Sequence, residues 1–97
     1  MSLCTCLPEA LCERCYGREL FAKRGQARVL GEQWAENVGR RPKHRRHVSW
    51  PDDEATLAIA ARKVVNLTAD PRLRAELATL CLAGAAAWWA RRPERYR

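Results

Sequence analysis

Cys4-Thr5-Cys6-Leu7-Pro8-Glu9-Ala10-Leu11-Cys12-Glu13-Arg14-Cys15 holds four of the chain's five cysteines, as a C-x-C pair followed by a C-x-x-C pair. A cysteine used as a small hydrophobe has no reason to recur at turn spacing. Four thiolates around one tetrahedral cation do, because together they complete a closed structural Zn²⁺ site. The two-residue spacer between Cys12 and Cys15 bends back so that both sulfurs face one ion. Cys4 and Cys6 approach it from an extended segment, and Pro8 turns the chain between the pairs. The expected cofactor is Zn²⁺, and the expected ligands are Cys4, Cys6, Cys12 and Cys15.

Other uses of the cysteines fit less well. Two disulfides need an oxidising compartment, and Met1-Ser2-Leu3 has neither the basic start nor the apolar stretch of a signal peptide. The expected location is therefore cytoplasmic. A redox C-x-x-C sits between a strand and a helix, which eleven preceding residues cannot supply. An iron–sulfur cluster also takes four thiolates, so spacing leaves it open. His44 and His47 form an H-x-x-H pair that could join Cys12 and Cys15 in a Cys₂His₂ site. They stand in the basic run Lys43-His44-Arg45-Arg46-His47, whose field repels a metal cation, so the four-cysteine set is preferred.

Ninety-seven residues build one domain with a modest core. Much of the 47% hydrophobic content is alanine, so long side chains to fill that core are few, and a metal staple suits such a chain. The net charge of +7 is uneven: residues 16–47 carry nine basic and three acidic side chains. That balance points to nucleic acid, an acidic protein face or an anionic surface.

Residues 16–30 place two short apolar segments on either side of Arg24-Gly25, where glycine permits a tight turn. The expectation is a small basic β-hairpin, with one continuous helix as the alternative. On Cys12, Cys15, Gly17 and the Arg24-Gly25 turn, residues 4–41 resemble the knuckle half of treble-clef and zinc-ribbon fingers. That resemblance implies a knuckle, then a basic hairpin, then a helix. The chain departs from it at Tyr16, which precedes the glycine, and in lacking a second C-x-x-C. Under the resemblance, Cys4 and Cys6 supply the missing ligands.

From residue 26 the apolar spacing is helical, with Ala27, Leu30, Trp34 and Val38 on one stripe and Gly39 ending it. Residues 40–47 follow with five cations and two histidines, a loop or arm that cannot bury itself. Ser49, Pro51, Asp52, Asp53 and Glu54 read as the start of a second helix running to about residue 67. Leu57, Ala61, Val64 and Leu67 form its expected face. Asp70-Pro71 starts the last helix as cap and first position. Residues 77–90 carry no charge but are too few to span a bilayer, so this helix is a core helix or an interface. It should stop before Pro93.

The fold expected is mainly α: a zinc knuckle with a short β-hairpin, then a small bundle of about three helices. Residues 1–47 form the knuckle, hairpin and arm; residues 48–97 form a helical hairpin in the same body. No phosphate loop and no nucleophile–base pair argues for an enzyme or a small-molecule substrate, and a four-thiolate zinc has no open position. The first expected function is nucleic-acid binding, through Arg18, Lys23, Arg24, Arg28, Arg40, Arg41, Lys43, Arg45 and Arg46. The alternative is a protein-interaction module, or self-association, docking through Trp88, Trp89, Arg91 and Arg92, since Trp and Arg are enriched in hot spots. No membrane role is expected.

Overall fold

The computed structural model describes residues 4–42, 48, 50 and 54–97. Three helices dominate it: α1 (Glu13–Gly39), α2 (Glu54–Lys63) and α3 (Pro71–Arg91), with a short 3₁₀ turn at Glu94–Tyr96. The chain is mainly helical, and the cysteine cluster lies at its N-terminal end. No helix among the described residues is long and apolar enough to cross a membrane.

The expected β-hairpin at 16–30 is not formed: α1 runs without a break from Glu13 through Gly17 and Gly25 to Gly39. The reason lies in the inward face. Leu20, Ala27 and Trp34 keep a seven-residue step across the supposed turn, and all three pack in or against the core. An interior glycine lowers helix stability by only about 1 kcal/mol relative to alanine, and burial of that stripe offsets it. The helix therefore starts thirteen residues earlier than the stripe from Gln26 suggested. Its expected inner residues do face the core: Ala27 and Trp34 are buried, and Leu30 and Val38 pack beside them. Gly39 is its last residue, as expected.

α1 and α3 run parallel along the 51 Å axis of the molecule. Tyr16 near the start of α1 meets Glu76 near the start of α3. Gly31 meets Cys81 halfway, and Gly39 meets Trp88 near the far end. The two backbones touch at their crossing. A Cβ built on Gly31 would stand 1.8 Å from the Cys81 carbonyl oxygen, and one on Gly84 would stand 2.3 Å from that of Arg28. Alanines continue the same seam, with Ala27, Ala35, Ala78 and Ala85 all buried. This is how an alanine-rich chain closes a core: interhelical distance shrinks because side-chain volume is small.

α2 returns antiparallel between them in sequence. Trp50, just ahead of it, lies 6.4 Å from Trp89 near the end of α3, while its own end connects through Val64 to Asp70 at the start of α3. Of its expected inner residues, Val64 is buried and Ala61 and Leu67 pack against the core, but Leu57 does not. Thr56, Ala60 and Val64 are buried, while Leu57 is 45% exposed. Small Thr56 and Ala60 allow the close approach to α3, and the bulkier Leu57 turns outward. The helix also ends at Lys63 rather than near residue 67. Its expected cap, Ser49 with Pro51, Asp52 and Asp53, lies outside the described residues.

Four tryptophans and Tyr96 gather at the far end of the α1–α3 pair. Trp34 meets Trp50 edge-on at 4.4 Å, Trp88 lies 6.3 Å from Trp89, and Tyr96 closes over Trp88 at 5.4 Å. The two flanks of α3 are thus covered by different parts of the chain. Trp89 is buried beside Trp50, and Trp88 is half-buried against Gly39 and Tyr96.

Candidate metal centre

Leu7-Pro8-Glu9-Ala10 forms a tight turn closed by the Ala10 amide donating to the Leu7 carbonyl at 3.0 Å. Proline fits the second position of such a turn because its φ is already set. The turn folds Cys4 and Cys6 back onto Cys12 and Cys15. Cys12 is the N-cap of α1, its sulfur accepting the Cys15 amide at 3.5 Å.

All four sulfurs lie within 4.8 Å of one another, with Cys4 3.3 Å from Cys6 and 3.1 Å from Cys12. A tetrahedral ion with metal–sulfur bonds of about 2.3 Å sets its sulfurs about 3.8 Å apart. The observed separations bracket that value, so the four cysteines are positioned to chelate one metal ion. The preferred four-cysteine set is the one brought together. His44 and His47 lie outside the described residues.

Hydrogen bonding within the cluster splits the ionisation of its thiols. Donation from the Cys15 amide at the helix start, and then from Cys4, pulls the Cys12 thiol down to about 6. Sharing a proton with Cys12 and then Cys4 pushes Cys15 up to about 12, and contact with Cys12 raises Cys4 as well. Crowded sulfurs oppose one another's ionisation, and a central divalent ion reverses that opposition.

A second set of residues, of which the sequence showed only the cap at Asp70, pins this knuckle to the helices. Asp70 is fully buried at the start of α3. One oxygen caps the helix by accepting from the Arg72 and Leu73 amides at 2.9 and 3.5 Å. The other accepts the Leu11 amide, 59 residues away in sequence, at 2.9 Å. Arg72 completes the clamp, donating to the Leu11 carbonyl at 2.8 Å while pairing with Asp70 at 3.2 Å. Arg72 first, helped by those amides, holds the Asp70 carboxyl at about 2, against the opposing effect of burial. Tyr16 adds a further tie, its hydroxyl donating to Glu76 and its ring lying under Arg72. The cap was legible in Asp70-Pro71, but its second oxygen's long-range partner has no sequence signal.

The basic candidates separate into two groups. Lys23 pairs with Glu19 and donates to the Leu67 carbonyl, and Arg40 pairs with Glu36, so both serve local structure. Arg18, Arg24 and Arg28 are exposed on α1, and Arg41 is exposed just beyond it. Lys43, Arg45 and Arg46 lie outside the described residues. Arg14, which lies inside the cysteine motif, joins the exposed α1 group. Trp89 lies under the Arg92 guanidinium, 4.4 Å from its ring centre, and Arg91 approaches Glu32 at 4.0 Å. The four residues of the alternative docking site are thus engaged within the chain. Comparison with known protein families, curated proteins and solved structures gives no match.

Proposed function

We propose that this chain is a non-catalytic, zinc-stabilised protein that binds nucleic acid through the outer face of α1. Zinc is preferred because sulfurs this close surround a single ion, whereas a multi-iron cluster spreads its thiolates around a larger inorganic core. The ion's part is structural: it fixes the knuckle that starts α1 and that Asp70 and Arg72 join to α3.

The observation that carries the binding reading is a row of exposed arginines. Arg14, Arg18 and Arg28 recur at helical steps on one face, with Arg24 on its flank. They span about 21 Å of helix. Among the described residues none of the four forms an ion pair, while Lys23, Arg40, Arg72 and Arg91 each do. Unpaired guanidinium groups in a row suit phosphate oxygens, and each contact releases counterions. Docking through Trp88 and Trp89 would first have to open the ring contacts that these residues make inside the chain.

The test is affinity for a labelled oligonucleotide against salt. Four phosphate contacts give a slope of log affinity on log salt of about −3 for single strands. Charge reversal at Arg14, Arg18 and Arg28 should flatten it by about 2. Absence of binding at low salt would end this reading.

A further inference from the structure

Phe21 interrupts the arginine row, and its surroundings are not explained by folding. At 70% exposure it is the most exposed large hydrophobic residue among the described residues, and it takes no part in the core. Its nearest neighbours along the helix are those three and four residues away: Gly17, Arg18, Arg24 and Gly25. The two glycines are unlike Gly31 and Gly84. A Cβ on either would meet nothing within 4 Å, so no packing requires them. Each nonetheless weakens the helix by about 1 kcal/mol relative to alanine. What they do is leave the ring largely open to solvent, with only Arg24 against it. A helical side chain leans toward the N-terminus over the preceding turn, so any larger residue at position 25 would lie across Phe21. A side chain at 17 would crowd the place onto which the ring itself leans. The Arg24 guanidinium stands over the ring, 4.5 Å from its centre.

We propose that Phe21, cleared by Gly17 and Gly25, is a stacking site for an unpaired base, so that the arginine row takes single-stranded nucleic acid. This rests on the nucleic-acid reading above and adds to it the class of strand. An exposed ring flanked by guanidinium groups offers a base a face to stack on and its backbone cations to follow. In a duplex those base faces are already occupied, and opening a step costs a few kcal/mol. An anionic membrane is the other polyanion that such a face could meet. Interfacial helices, however, bury a broad apolar face, and here one ring stands among arginines and glycines.

The experiment measures fluorescence anisotropy of the full, metal-loaded chain with an oligothymidine strand, a blunt duplex of equal length and anionic phospholipid vesicles. The wild type should prefer the single strand. Phe21→Ala should lose about 5- to 100-fold in single-strand affinity, keep the salt slope, and leave duplex binding unchanged. Phe21→Tyr should restore the affinity. Gly25→Leu, which covers the ring without removing it, should weaken single-strand binding while the helix stays folded. Unchanged single-strand affinity in Phe21→Ala, or preference of the wild type for duplex, would overturn the stacking site and leave the arginine row standing. Binding to vesicles with no binding to either nucleic acid would overturn both.

Discussion

The buried Asp70 carboxylate accepts the Leu11 amide at 2.9 Å, so the residue that caps α3 also holds the loop that leads into the C-x-x-C pair. One side chain therefore couples helix initiation to the position of the knuckle. Its consequences can be measured apart from any ligand.

Replacing Asp70 with alanine removes the cap, strands the Leu11 amide without its acceptor and takes the ion-pair partner from Arg72. The expected result is a clear drop in thermal midpoint, with amide exchange at Leu11 accelerated even in metal-loaded protein. Asp70→Asn keeps an acceptor but loses the charge, and should fall between. The pH dependence has a definite sign. A carboxyl held at about 2 in the fold, below the usual value near 4, stabilises fully above pH about 4 and loses that contribution as pH falls toward 2. Denaturant titrations of wild type and Asp70→Asn should converge across that window. A parallel offset down to pH 2 would contradict the assignment.

Tyr16 gives the opposite window. Its hydroxyl donates to the Glu76 carboxylate, and that bond, with burial, pushes the phenol up to about 12. A group whose ionisation is raised in the fold stabilises below its ordinary value near 10 and loses that contribution as pH rises toward 12. Ultraviolet absorbance should show Tyr16 ionising late. Glu76→Gln should bring it back toward 10.

The glycines divide by what surrounds them. Gly31→Ala and Gly84→Ala force backbone against backbone, and each should destabilise by about 1–3 kcal/mol through overpacking. Gly17→Ala and Gly25→Ala meet open space and should stabilise by up to about 1 kcal/mol. Chemical denaturation of the four variants checks both signs in one experiment.

These same glycines explain what was legible in the sequence. The knuckle was readable because its signals are local: two cysteine spacings and a turn proline. Asp70-Pro71, the stop at Gly39 and the stop before Pro93 were readable for the same reason. Arg24-Gly25 misled, because glycine beside two apolar segments fits a hairpin turn as well as the interior of an exposed helix face. Only the seven-residue step of Leu20, Ala27 and Trp34 separates them. The close crossing at Gly31 and Gly84 was hidden, since a contact between backbones leaves no side-chain pattern. On α2 only Leu57 was misplaced, because the smaller Thr56 and Ala60 take the inner face beside Val64. The Asp70–Leu11 bond joins residues too far apart in sequence for any spacing to announce.

The measurement that bears most directly on the central claim is native mass spectrometry of chain purified without added metal. One zinc per chain is expected, retained when His44 and His47 are both replaced by alanine, and lost in Cys12→Ser or Cys15→Ser. Wild-type chain that carries no ion, or an ion kept by Cys12→Ser and lost with the two histidines, would contradict the four-cysteine centre.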